Sequence, residues 1–343
     1  MQYNNKIDII IPVYNTSDKI LFRCLSSIAC QSIIEDIEVT IVDDASNIET
    51  HYQQVADNFK SIMNINILRY NQNGGPGVAR QYGINHTSNE FITFIDVDDT
   101  YYGAFAVQAL RDGIQMNNGK HSVCIGNFNE IYIKPETQET LLIPHEKDVI
   151  WMFGKMYRRN FIEKYKIHFH PTSRANEDNG FNAQVRLYAN DNESINFIPA
   201  FVYHWHDNPN SITRVNDNEY SFGGEQWHSF YGYVENMIFA IQEVQKNLSN
   251  DNPVLKSFVL NCMIRLYEYF LECFTHSNET AAQNLEYCRW YYKEIYQHYE
   301  PFISHDEIAH LYSQIIKGFY STSNLDNIIP CITLYDFILE LKK

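Results

Sequence analysis

The sequence predicts an α/β protein with a doubly wound, mainly parallel sheet, followed by an all-α C-terminal region. Strand-like apolar runs alternate with helical stretches across residues 7–99, the pattern of successive βαβ units. The first run, Ile7-Asp8-Ile9-Ile10-Ile11, is nearly continuous and β-branched, as in a strand buried on both faces of a parallel sheet. From about Phe222 apolar residues recur instead at helical spacing.

Pro12 stops the first strand. Asp18 to Ala29 then reads as a helix with Ile20, Leu21, Cys24, Leu25 and Ile28 on one stripe. Glu38–Val42 is a second strand, ended by Asp43-Asp44, and His51–Phe59 a weaker helix. Asn66–Tyr70 is a third strand, ended by the Gly-rich Asn73-Gly74-Gly75-Pro76-Gly77, after which Val78–Asn85 is helical. Phe91–Ile95 is a fourth strand, ended by Asp96-Val97-Asp98-Asp99. Residues 120–215 read as mixed, with a helix near Arg158–Lys164; His168 and His170 read as ordinary strand residues. Asn252-Pro253 and Ser304-His305-Asp306-Glu307 look like helix starts, so Glu225–Leu341 reads as about five helices. The predicted division is 1–220 and 221–343, with the boundary in 216–224.

Composition narrows the function. The 343 residues are 45% hydrophobic and 20% charged, ordinary for a globular chain. With 42 acidic and 26 basic residues the net charge is -16, which disfavours nucleic-acid and anionic-membrane partners. The seven cysteines form no CxxC pair, so neither a zinc knuckle nor a disulfide framework is expected. No apolar run reaches the length of a spanning helix, and the N-terminus lacks a signal-peptide pattern. A cytoplasmic location is expected, including a peripheral one at the inner membrane face.

In open α/β sheets ligands bind at the carboxyl ends of the strands, and here each such end is polar or Gly-rich. Three carboxylates within Asp96–Asp99 repel one another unless a cation sits among them, and hard oxygen ligands suit Mg²⁺ or Mn²⁺ carrying a diphosphate. A solvated acidic turn explains DxDD alone equally well; its place after strand four favours the metal. Tyr14 offers a stacking ring beside the Asp43-Asp44 carboxylates, as a nucleotide needs. Backbone N–H groups at Gly75, opening the helix that bears Arg80, could face phosphate. The GxGxxG pattern of dinucleotide folds is absent.

These segments resemble the family 2 glycosyltransferases of the GT-A fold. The resemblance rests on strand-Pro12-Val13-Tyr14-Asn15, Val42–Ser46, Asn73–Arg80 and Phe94–Asp99. It continues through Trp151–Arg158, Asn176–Asn182 and Tyr203–Arg214, and covers residues 7–214 in the family's order. It implies transfer of a sugar, with inversion, from a nucleoside diphosphate (a UDP-sugar by preference) to an acceptor hydroxyl of a glycan or other cell-surface polymer. Asp178 is implied as general base, with Glu177 contacting the acceptor or orienting the base. Donor contacts are implied for Pro12, Tyr14, Asn15, Asp44, Gly75, Arg80, Asp96, Val97, Lys155, Ser211 and Arg214. Tyr14 would stack on the base, Asp44 accept its imide N–H, and Arg80 lie near the phosphates or uracil. Asp98 would be the main Mn²⁺ or Mg²⁺ ligand, with Asp96 and His206 beside it. His204 and His206 share a strand face and read equally as ligands or as pocket wall, His206 being the preferred ligand. Two other readings stand beside this one: an inactive nucleotide- or glycan-binding module on the same fold, and a nucleotidyltransferase. The helical region is expected to form a homodimer or to wall an acceptor groove.

Overall fold

The computed structural model describes residues 5–259 except 48–49, 135, 190–193, 207 and 209–224, together with residues 261, 262 and 265. The chain divides into two compact units, residues 1–209 and 210–343.

In the first unit the order is β1 Ile7–Val13, α1 Asp18–Ala29, β2 Ile37–Asp43, α2 Tyr52–Asp57, β3 Asn64–Arg69, α3 Pro76–Asn85 and β4 Phe91–Phe94. Then come β5 Thr100–Tyr101, α4 Ala106–Gly119, β6 Val123–Ile133, β7 Thr140–His145 and β8 Lys155–Arg158. α5 Arg159–Tyr165, α6 Glu177–Tyr188 and β9 Ile195–His206 complete it. One sheet holds the strands in the order β3-β2-β1-β4-β8-β6-β9-β5, with β7 paired on β6. β3, β2, β1 and β4 are parallel, whereas β8 runs antiparallel to β4 and β6. The chain steps outward from β1 to β3 and returns to β1's other side at β4. That reversal opens a crevice at the carboxyl ends of β1 and β4.

The β-branched run forms β1 because every residue from Ile7 to Val13 is buried. The helical stripe of α1 follows for the same reason: Leu21, Cys24, Leu25 and Ile28 are wholly buried in the core. α3 approaches β1 closely enough that a Cβ on Gly83 would stand 2.5 Å from Ile10 Cγ2. His168 and His170 lie in a loop rather than a strand, where His170 Nδ1 accepts the N–H groups of Thr172 and Ser173 (3.2 and 2.9 Å).

In the second unit α7 spans Glu225–Gln245 and buries Phe230, Val234, Met237 and Ile241 at helical spacing. The other expected helices fall largely outside the described residues, as does the boundary expected in 216–224. Among the described residues no helix is long and apolar enough to cross a membrane.

Candidate active site

The site grows from the carboxyl ends of the parallel strands. β1 runs out through Pro12 to Tyr14, whose ring is 44% exposed and so open to a stacking partner. Asn15 takes a left-handed φ of 50°, in which its N–H donates to Ser46 Oγ and its Oδ1 accepts from the Asn47 N–H, both at 2.9 Å. The ends of β1 and β2 are thereby laced together. Asp43 is buried, ion-paired with Arg69, and accepts the Ser46 N–H at 2.9 Å.

Asp44 has no lone pair to spare. Its carboxylate accepts from Tyr70 Oη (2.5 Å), Asn73 Nδ2 (2.9 Å), and the N–H groups of Gly74 (2.6 Å) and Gly75 (2.7 Å). It anchors the Gly-rich turn where a base-binding contact was expected. The Gly75 N–H, expected to face phosphate, points back into the protein instead. Gly75 sits at φ 90°, a conformation that suits glycine.

The three carboxylates after β4 have divided their roles. Asp99 is fully buried, accepting from Tyr203 Oη at 2.6 Å and from the His206 N–H at 2.8 Å. Burial and the charges of Asp98 and Asp96 push its carboxyl well up. Asp98 accepts from Asn208 Nδ2 at 2.7 Å, and its main-chain carbonyl accepts from Arg23. Burial, then Asp96, push Asp98 up as well. Asp96 pairs through Oδ1 with Arg80 Nη2 at 2.5 Å. Val97 packs against the core beside them. His206 Nε2 lies 2.9 Å from Thr100 Oγ1. Burial, with Arg23 and His204 nearby, lowers His206 to about 4, so the ring is neutral at pH 7 and able to ligate. The His204 ring packs 4.6 Å from that of Tyr102.

This donor set fits a divalent cation. Asp96 and Asp98 offer hard oxygen ligands, His206 a neutral imidazole, and the raised Asp98 carboxyl marks negative charge short of a partner. Among the described residues no three acidic, His or Cys side chains already form a metal cluster. The remaining positions would therefore fall to water or a donor phosphate, as magnesium sites commonly allow.

The second acidic pair opens α6. Glu177 and Asp178 occupy its first turn, where the helix dipole favours negative charge. Asp178 is half-buried, and its Oδ1 accepts the Asn179 N–H at 2.7 Å. Burial, then the charge of Glu177, push its carboxyl up to about 7. Glu177 is buried and pairs with Arg80 Nη1 at 2.8 Å. Arg80, expected beside phosphate or uracil, is itself buried and bridges Asp96 to Glu177. Burial alone would lower its pKa, but the two carboxylates more than offset that and hold it charged. Lys155, expected on the donor, is buried at the start of β8 with Nζ on Asp148 Oδ1 (3.2 Å) and the Trp151 carbonyl (2.5 Å). Burial lowers it to about 8, and it ties down the loop before β8.

The structure thus brings Pro12, Tyr14, Asn15, Asp44, Gly75, Arg80, Asp96, Asp98, Glu177, Asp178 and His206 to one edge of the sheet. Ser211 and Arg214 lie outside the described residues. Arg23 of α1, beside Asp98, carried no signal in the sequence; it lies on a helix with no motif around it.

A mainly parallel sheet with separate acidic pairs after β4 and at the start of α6 defines a GT-A type fold. The likeness to solved structures agrees: Staphylococcus aureus TarS 1–349 in complex with UDP matches with a TM-score of 0.61 at 18% identity, covering 85% of this chain and 80% of that one. Residues 8–175 match the model of Glycosyl transferase family 2. The uncharacterized glycosyltransferase EpsJ of Bacillus subtilis (strain 168) is 27% identical over 227 residues, covering 61% of this chain and 63% of EpsJ. The poly(ribitol-phosphate) beta-N-acetylglucosaminyltransferase TarS of S. aureus (strain MW2) is 27% identical over 199 residues, covering 54% of this chain and 33% of TarS. The matched stretches span less than two thirds of these relatives.

Proposed function

We propose that the protein is an inverting glycosyltransferase that moves a sugar from a UDP-sugar to a hydroxyl of a cell-surface polymer. The observation that carries this reading is the linked placement of the two acidic pairs. Asp178, raised to about 7, opens the same helix turn as Glu177, and one guanidinium joins Glu177 to Asp96 of the DxDD segment. Names among the relatives support the polymer: a beta-glucosyltransferase and a beta-N-acetylglucosaminyltransferase among them are named for poly(ribitol-phosphate). The UDP complex of the TarS fold supports the donor.

In this reading Asp178 takes the proton from the acceptor hydroxyl. The acceptor oxygen bonds to the anomeric carbon from the face opposite the diphosphate. The bond from that carbon to the β-phosphate oxygen breaks, and UDP leaves with the electron pair. A base with a pKa near 7 is matched to neutral conditions. Asp98, with Asp96 and His206, would hold Mg²⁺ or Mn²⁺, which when bound neutralises the charge gathering on the leaving diphosphate. Tyr14 stacks on the uracil, and Asp44 shapes that pocket by fixing the Gly74–Gly75 turn. The chain works on the cytoplasmic side, and its helical region serves self-association or acceptor binding.

A nucleotide-release assay over UDP-, GDP- and TDP-sugars tests the reading. Release of UDP that requires Mn²⁺ or Mg²⁺, and that Asp98→Asn abolishes, is the expected result. Undiminished release in EDTA sinks the metal assignment. Tight UDP binding with no release or transfer from any sugar in the panel points to a binding module.

A further inference from the structure

We propose that Arg80 is a positioning residue that binds the donor-side and acceptor-side carboxylates into one unit, through contacts to Asp96 and Glu177 rather than to the nucleotide. This inference rests on the reading of Glu177-Asp178 as the acceptor-side pair. Arg80 lies on α3, Asp96 follows β4, and Glu177 opens α6, so three elements meet at one guanidinium. The side chain is 3% exposed. Its Nη2 pairs with Asp96 Oδ1 at 2.5 Å and its Nη1 with Glu177 Oε1 at 2.8 Å. A buried guanidinium spent on two carboxylates has little to offer a phosphate.

The packing enforces this arrangement. A Cβ on Gly77 would stand 2.8 Å from Glu177 Cγ, so α3 admits the Glu177 side chain only because residue 77 has none. The Arg80 plane lies over the Phe169 ring, 6.0 Å from its centroid, which fixes the third side of the group. Among the described residues the Nε has no hydrogen-bond partner. A buried polar atom left unsatisfied is tolerated where geometry serves something other than stability. A planar guanidinium holds its two carboxylates in a fixed fork; a lysine ammonium is a compact charge with rotatable donors and sets no such geometry. The consequence is mechanical: Asp96 cannot shift on donor binding without moving Glu177, and with it the helix turn that carries Asp178.

The test is Arg80→Lys, which keeps the charge and loses the fork, alongside Glu177→Gln and the double variant. Calorimetry with UDP and Mn²⁺ is set against kcat for transfer. The expected result is a fall of roughly 10- to 100-fold in kcat, UDP affinity within about threefold of wild type, and a double variant no worse than the poorer single one. UDP affinity falling in step with kcat would make Arg80 a direct donor ligand and overturn the proposal. So would multiplicative losses in the double variant. If the wild type neither binds UDP nor transfers sugar, the functional reading fails by itself. The clamp is then judged by urea unfolding of the same variants: non-additive losses uphold it and additive ones overturn it.

Discussion

Two buried arginines sit at opposite edges of the same sheet, and they are built differently. Arg159, at the edge where β1 begins, has a partner on each of its three nitrogens. Its Nε donates to the Asn89 carbonyl (2.7 Å), its Nη1 to the Ile84 carbonyl (3.0 Å), and its Nη2 to Asp8 Oδ2 and Thr87 Oγ1 (both 2.8 Å). Asp8 is completed in turn by the Asn89 N–H and Nδ2. Arg80, at the edge where β1 and β4 end, joins two carboxylates and, among the described residues, leaves Nε without a partner. The first network is closed and serves only the fold. The second joins its two carboxylates through one cation and is incomplete at Nε among the described residues. The lesson is that ion-pair burial alone does not distinguish a staple from a site; completeness does.

The sharpest break between the edges is expected from Asp178→Asn. Removing a positioned base should lower transfer by roughly two to four orders of magnitude, with UDP affinity by calorimetry nearly unchanged. Equal losses in both would give Asp178 a structural role. The intact enzyme should show the matching pH dependence. The base works ionised, so kcat should rise about tenfold per pH unit below the Asp178 value of about 7 and level off above it. The sign for stability is opposite. Asp178 holds its proton more tightly folded than at its ordinary value of 3.8, so it costs stability progressively as pH climbs from that value towards 7.

At the other edge Asp8→Asn should remove about 3–5 kcal/mol of stability, because Arg159 is left as a buried charge without its counter-ion. Chemical denaturation measures it, and kcat of the folded enzyme should hold. A kcat that fell with stability would erase the contrast. Gly77→Ala is the smaller, mixed case. Overpacking against Glu177 should cost about 1–3 kcal/mol, and kcat should drop further than thermal stability alone explains.

Much of the scaffold was legible in the sequence, because burial imposes periodicity. The β-branched run became β1, the Asp18–Ala29 stripe became α1 with those bounds, and strand ends announced themselves as Asp-Asp, Gly-Gly or DxDD. What a charged side chain at those ends touches was not legible. Arg80 and Glu177 are 97 residues apart, and nothing local marks them as partners. A basic residue after a Gly-rich turn looks the same whether it meets phosphate or carboxylate. Asp44 and Lys155 pose the same problem: the turn and loop they hold exist only once the chain has folded. Arg23 shows the converse, a charge beside the DxDD contributed by a helix read only for its apolar face.

The contact between Gly83 and Ile10 has a consequence for descent. With a Cβ at 83 only 2.5 Å from Ile10 Cγ2, position 83 cannot gain a side chain while Ile10 keeps its own. A lineage that gains a side chain on α3 there must first lose one from the central strand, and the intermediate that lacks both fillers carries a void. Positions 10 and 83 should therefore change as a pair or stay as they are, a linked inheritance that an alignment of relatives can read directly.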